Sequence, residues 1–373
     1  MRGFPIITIT GPRQSGKTTL SKMVFIDRPY VSLEDPDLRQ AAQEDPRSFL
    51  GRFPDGAVLD EVQRLPEILS YLQTIVDADG RMGLYLLTGS RQFGLMSGIT
   101  QSLAGRTAFV ELLPFSIIEL AGADKVPADA DTMLLTGCYP PLYDRELSFS
   151  SWFASYVTSY IERDVRQLLR IQELETFQRF VRLCAGRTGQ LLNLSSLAVE
   201  CGITHNTAKS WISVLEASYI VFLLRPNHSS FNKRLVKMPK LFFYDAGLVS
   251  WLLGIRTHEQ LETHPLRGNI FETFIISEIF KSRLNRGEQP TFSFWRDSNG
   301  NEIDLIIEQG AKLMPVEIKS GRTLTRDSFA GLEKWCSLAG DAAERPSLIY
   351  GGDDAYQQKG IRVMGWRKSG ELL

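Results

Sequence analysis

The stretch Pro5-Ile-Ile-Thr-Ile-Thr-Gly-Pro-Arg-Gln-Ser-Gly-Lys-Thr-Thr-Leu20 decides the fold of the first third of this 373-residue chain. Its β-branched run up to Thr10 predicts a buried strand, and the residues from Thr19 onward read as a helix. Between them, Gly11-Pro-Arg-Gln-Ser-Gly-Lys-Thr18 matches the P-loop pattern at every fixed position, in the strand-loop-helix context that the pattern requires. Gly11 and Gly16 let backbone amides turn toward phosphate oxygens at a helix N-terminus, with Pro12, Arg13, Gln14, Ser15 and Thr19 completing the cradle. Lys17 is placed to neutralise β- and γ-phosphate charge, and Thr18 to set its hydroxyl on magnesium.

Four more short apolar runs follow, at Tyr30–Leu33, Ala57–Leu59, Leu84–Leu87 and Ala108–Leu112, separated by helix-length polar stretches. This alternation predicts βαβ units in a parallel sheet. The third strand ends in Asp60-Glu61, which supplies the rest of a phosphoryl-transfer site. Asp60 would hold the water shell of magnesium, and Glu61 would polarise the attacking water. A carboxylate pair of this kind belongs to the additional-strand ATPases, and the chain contains no Asn/Thr-Lys-x-Asp guanine-reading motif, so ATP is expected over GTP. Thr88-Gly-Ser90 ends the next strand in hydroxyls that could orient the water. Arg106 is a candidate finger for transition-state charge, acting in a neighbouring copy.

Composition bounds the rest. Hydrophobic residues are 43% and charged residues 23%, an ordinary globular balance that disfavours disorder and disulfide scaffolds. The net charge of -1 leaves any nucleic-acid contact to a local basic face. The four cysteines are scattered without a zinc-ligand spacing, no apolar run is long enough to span a membrane, and the N-terminus lacks a signal-peptide core. A cytoplasmic location is the expectation.

From Trp152 the apolar spacing becomes helical, and Leu194–Leu215 reads as two short helices around a turn at Gly202. Thr204–Trp211 would be the recognition helix of a helix-turn-helix, either reading DNA or serving as a protein-contact module. The basic run from Asn232 to Lys240 offers Lys233, Arg234, Lys237 and Lys240 as phosphate contacts, or simply a solvated face. Further on, Glu272 on a helix, Asp304 at a strand start and Glu317-Ile-Lys319 at a strand end follow the order of a metal-dependent nuclease site. Asp304 and Glu317, with Glu272 and Lys319, would hold magnesium beside a scissile phosphate.

The runs Gly11–Leu20, Tyr30–Pro36, Leu59–Gln63, Leu87–Ser90, Ser102–Arg106, Tyr160–Arg166, Asn232–Lys240, Tyr244–Leu248 and Phe294–Asp297 together resemble a family of bacterial and archaeal AAA-class ATPases with a C-terminal domain of unknown function. The resemblance implies ATP and magnesium binding, a winged-helix segment and a restriction-endonuclease-like terminal fold. Members of the family it resembles usually carry a longer segment before the first strand, often contributing to the adenine pocket, which leaves base recognition unassigned. The expected architecture is therefore α/β throughout. An additional-strand P-loop domain spans 1–125, a helical and winged-helix segment 126–226, and a restriction-endonuclease-like domain 227–373. The expected function is ATP hydrolysis coupled to a nuclease-like, nucleic-acid-handling module. The alternative is a nucleotide-gated regulatory or protein-binding module whose nuclease-like fold is inert. Expected partners are further copies of the chain, DNA, or an unidentified protein, with no membrane.

Overall fold

In this computed structural model, which describes residues 3–89, 102–145, 147–165, 173–227 and 236–372, the five apolar runs of the first third become one parallel sheet. The elements are β1 (Ile6–Thr10), α1 (Lys17–Val24), β2 (Tyr30–Ser32), α2 (Pro36–Glu44), α3 (Pro46–Gly51), β3 (Val58–Asp60), α4 (Ile68–Asp79), β4 (Tyr85–Gly89) and β5 (Thr107–Glu111). The strand order is β2-β3-β4-β1-β5, so β4 is inserted between the P-loop strand and the acidic strand. Successive strand residues enter different cores, as the two-residue strand period requires. Ile6, Leu59, Tyr85 and Leu87 pack with Leu69 and Leu72 of α4. Ile7, Ile9, Val58 and Leu86 face Leu20 and Phe25. Each fully buried aliphatic side chain contributes about 1.5–3 kcal/mol, and the sheet is apolar on both faces because helices cover both.

This first compact unit comprises Met1–Pro114 with Ala217–Tyr219; the second comprises Phe115–Glu216 with Ile220–Leu373. The second unit therefore holds both the helical segment and the C-terminal segment. Its elements begin with α5 (Ile117–Gly122), α6 (Ala130–Thr136), α7 (Pro141–Asp144) and α8 (Phe149–Tyr156), which runs on to Val165 in wider π-type turns. Next come α9 (Leu174–Ala185), β6 (Gln190–Leu191), α10 (Leu194–Cys201) and α11 (His205–Ala217). Gly202, at φ 70°, closes α10 and starts the turn into α11. Ala208, Trp211, Ile212 and Leu215 form the buried face of α11, and Trp211 meets Phe177 and Phe180 of α9 edge-on.

The remaining elements are β7 (Val221–Pro226), β8 (Lys240–Phe243), α12 (Ala246–Leu252), α13 (His258–Glu262), α14 (Arg267–Asn285), β9 (Phe292–Arg296), β10 (Glu302–Gln309), β11 (Lys312–Lys319), α15 (Ala330–Ala339), β12 (Ser347–Tyr350), β13 (Tyr356–Gln358) and β14 (Ile361–Gly365). Nine strands form one mixed sheet in the order β13-β14-β12-β11-β10-β9-β7-β8-β6. The β6/β8/β7 ribbon, whose strands flank the helix pair in sequence, is continuous with the C-terminal strands through parallel pairing of β7 with β9. Among the described residues, no helix is long and apolar enough to cross a membrane.

A buried polar knot fixes the start of this unit. Asp245 caps α12 through the Leu248 amide at 2.9 Å and also accepts the Cys138 amide at 2.7 Å. Gly247 lies against Gly137, where an added Cβ would come within 2.4 Å of the Gly137 nitrogen. On α14, fully buried Glu278 accepts from Lys281 at 2.7 Å and from the Ile117 amide at 2.6 Å. Lys281 donates in turn to the Phe115 carbonyl at 2.9 Å. Removing one partner of a buried ion pair strands the other charge. Glu278→Ala should thus lower unfolding stability by about 3–5 kcal/mol in urea titration, with Glu278→Gln costing less because it keeps an acceptor for Ile117.

Candidate functional site

The P-loop follows the carboxyl end of β1, and the rest of the site gathers at the same edge of the sheet. Gly11 has φ 154°, and an added Cβ would lie 2.0 Å from the Leu112 carbonyl oxygen, so only glycine brings the loop this close to the chain after β5. Lys17, buried at the start of α1, donates to the Gly11 and Pro12 carbonyls at 3.0 and 2.6 Å. Burial pulls its ammonium down to about 8, against the raising influence of Glu61 and Asp60.

Asp60 is the hub. Its Oδ2 accepts from Thr18 Oγ1 at 3.2 Å and from the Tyr30 hydroxyl, and its Oδ1 accepts from the Thr88 hydroxyl. Burial, then the hydrogen bond to Asp60, pushes the Tyr30 phenol upward, so it stays a donor. Thr88 comes from the inserted strand β4 and also accepts the Glu61 amide at 3.3 Å, so one hydroxyl joins both carboxylate residues. Glu61 itself adopts φ 58°, an uncommon left-handed conformation for a residue with a side chain. The Gln63 amide donates to its carboxylate, and burial raises its proton affinity. The Thr18 and Asp60 oxygens offer a hard-cation donor pair, which fits magnesium.

Ser90 lies outside the described residues. Arg106 sits at the amino end of β5, where its carbonyl accepts the Ile6 amide at 3.1 Å, the full length of the strand away from the P-loop. Its guanidinium clasps Asp77 through Nε at 2.5 Å and Nη2 at 2.7 Å. Five residues of strand span roughly 16 Å, so Arg106 does not serve its own chain's nucleotide site.

Of the second constellation, Glu272 and Asp304 come together and are joined by Glu302, while Glu317 is not a member of that close group. Carboxylate oxygens of Glu272 on α14 and of Glu302 and Asp304 on β10 lie within 4.8 Å of one another. Glu302 was not anticipated, although it stands two residues before Asp304 and the strand period was a usable signal. A shift in the β9/β10 register between Ile303 and Ile306 brackets Asp304, the kind of bulge that re-aims a side chain. Asp304 Oδ2 accepts the Ile318 amide at 2.8 Å, and Glu317 accepts from Lys319 at 2.6 Å. The other Glu317 oxygen, Oε2, is buried with no hydrogen-bond partner. Burial and the nearby Asp304 charge raise Glu272 and Glu317 to about 8, and burial raises Asp304.

Lys240 requires a correction. Read from the sequence as a surface phosphate contact, it is buried at the start of β8, with its ammonium on Glu272 Oε1 at 2.9 Å and on Glu302 Oε1. Burial alone would lower it, but Glu272, Asp304 and Glu302 more than reverse that and raise it. Of the other proposed phosphate contacts, Lys237 is exposed, while Lys233 and Arg234 lie outside the described residues.

Comparison with known proteins adds the family. Residues 3–121 match the AAA domain family. Residues 127–259 and 267–368 each match a domain of unknown function, DUF8612 and DUF4143. Two curated relatives are 30% identical over 355 residues, covering 94% of this chain and 78% of their own length. They are the Uncharacterized protein Rv2008c of Mycobacterium tuberculosis (strain ATCC 25618 / H37Rv) and the Uncharacterized protein Mb2031c of Mycobacterium bovis (strain ATCC BAA-935 / AF2122/97). This chain belongs to their family. Its first unit is an AAA-class P-loop ATPase domain. A solved structure, the Walker-type ATPase PABY2304 of Pyrococcus abyssi, is 15% identical with a TM-score of 0.45, covering 67% of this chain and 91% of that one.

In this member of the Rv2008c family, Thr88 is fully buried and carries both an accepted and a donated hydrogen bond. Thr88→Val keeps the shape and strips both. It should cost about 1–3 kcal/mol of stability in nucleotide-free protein, read by chemical denaturation, because the Glu61 amide and Asp60 Oδ1 lose their shared partner.

Proposed function

We propose that the first unit binds and hydrolyses ATP with magnesium, and that its nucleotide cycle drives a nuclease-like module, with a restriction-endonuclease-like core, in the C-terminal part of the second. The observation that carries the first half is the convergence of Lys17, Thr18, Asp60, Thr88 and Glu61 at one edge of the parallel sheet. P-loop amides and Lys17 would hold the phosphates, and Thr18 and Asp60 would hold magnesium, which neutralises charge on the phosphate oxygens. Glu61, anchored at its amide by Thr88 and at its carboxylate by Gln63, would accept the proton of the attacking water. Lys17→Ala should abolish nucleotide binding, whereas Glu61→Gln should bind ATP and stall. Equilibrium binding and steady-state turnover separate the two steps, and wild-type turnover by Glu61→Gln would remove Glu61 from this role.

The second half is supported by the order Glu272, Asp304, Glu317, Lys319 and by the bulge at Asp304. Asp304 and Glu317 would hold a divalent ion, which polarises a scissile phosphate and lowers the pKa of a bound water. The orphaned, buried Glu317 Oε2 suits such an ion because a buried carboxylate oxygen without a partner is costly. We propose the division 1–125, 126–226 and 227–373, with a winged-helix reading of the α10/α11 pair and the β6/β8/β7 ribbon. Nucleic acid would be met by exposed Lys237, together with Lys233 and Arg234. A second reading, an inert nuclease-like fold whose ATP cycle switches partners, draws on Lys240 lying inside the carboxylate cluster. Magnesium-dependent cleavage of plasmid and branched DNA decides between them. Activity in the wild type that disappears in Asp304→Ala supports the nuclease, and inactivity of both supports the switch.

A further inference from the structure

We infer that Lys240 is a resident cation of the carboxylate cluster, filling one of two cation positions, so that the site takes a single divalent ion, at Asp304 and Glu317. This rests on the metal-site reading above. The Lys240 ammonium bridges Glu272 Oε1 at 2.9 Å and Glu302 Oε1, two members of the close triad whose third is Asp304. It is 2% exposed, so water does not share in holding the two carboxylates. An ammonium in that place already does the electrostatic work of a metal between Glu272 and Glu302, and a second cation there would meet it directly.

Charge balance gives the same result. Four carboxylates, Glu272, Glu302, Asp304 and Glu317, face three cationic side chains: Lys240, Lys319 on Glu317 at 2.6 Å, and Arg296 on Glu302 at 2.9 Å. With all four carboxylates ionised, as their contacts with the cationic side chains and the binding of an ion require, one negative charge is left over. A single divalent ion turns that into a net positive site, which attracts a phosphodiester; a second would overcharge it. The vacant valence also has a location: Glu317, 8% exposed, keeps Oε2 buried and unpartnered, while its Oε1 is held by Lys319. Glu272 belongs to the lysine and Glu317 to the ion.

Manganese titration of the nucleotide-free full chain, followed by the free-ion paramagnetic resonance signal, tests this assignment. Counts are taken relative to an Asp304→Asn/Glu317→Gln double variant, so any ion at the P-loop cancels. Wild type should bind one extra Mn2+, and Lys240→Met should bind two. Glu272→Gln keeps an acceptor for Lys240 and should still bind one, which provides a readout even if Lys240→Met does not fold. Loss of the ion in Glu272→Gln, or an unchanged single ion in a folded Lys240→Met, overturns the lysine assignment while leaving the metal site standing. No extra ion in any of the proteins overturns both the metal site and the assignment.

Discussion

An ammonium group taken out of water must be surrounded by oxygen atoms, and how each buried lysine meets that demand organises this protein. Among the described residues three lysines are buried: Lys17, Lys240 and Lys281. Lys281 has a carboxylate and a carbonyl, holds its proton more firmly than usual, and locks α14 to the segment that opens the second unit. Lys240 has two carboxylates and is likewise raised. The hydrogen bonds of Lys17 go to two neutral carbonyls, and its pKa falls to about 8. Of the three, Lys17 has the least local compensation, and phosphate oxygens are the partner that would complete it.

The inserted strand explains why the nucleotide-type site needs more than a loop and an acidic pair. With β4 between β1 and β3, the P-loop and Asp60 are not on adjacent strands. The gap is closed from both sides, by Thr18 reaching Asp60 and by Thr88 standing on the strand between them. The register, with Thr10 opposite Gly89 and Leu59 opposite Leu87, brings these strand ends level, so one threonine can touch both Asp60 and Glu61. Strand alternation had brought Thr88 there on one side while keeping Leu87 and Leu86 in the two cores.

Much of this was legible in sequence because it is local. The P-loop, the strand ending in Asp60-Glu61 and the turn at Gly202 are set by residues within one or two turns of chain, and each appears where its pattern placed it. Lys240 was misread because its partners, Glu272 and Glu302, are distant in sequence; a window without acidic residues reads as a basic face whatever the fold later brings to it. Glu302 was passed over although the strand period pairs it with Asp304, because its partners Lys240 and Glu272 are distant in sequence. Arg106 was read as a finger acting in a neighbouring copy, and its place just before β5, which runs parallel to β1, keeps it at the far end of the strand from its own chain's P-loop.

The continuity of the nine-stranded sheet bears on how the second unit works. Lys240 is the first residue of β8, and β8 belongs to the ribbon with β6 and β7 whose strands flank the α10/α11 helix pair in sequence. The carboxylates it neutralises stand on α14 and β10, on the other side of β7 and β9 in the strand order. The ribbon cannot shift without moving a charge in the cluster. A low-dielectric site magnifies such a change: the pull of an ammonium on a carboxylate falls as the distance between them grows, and the excess negative charge left behind must be met by a proton or a metal ion. The ribbon and the carboxylate cluster are therefore joined by one side chain as well as by backbone pairing.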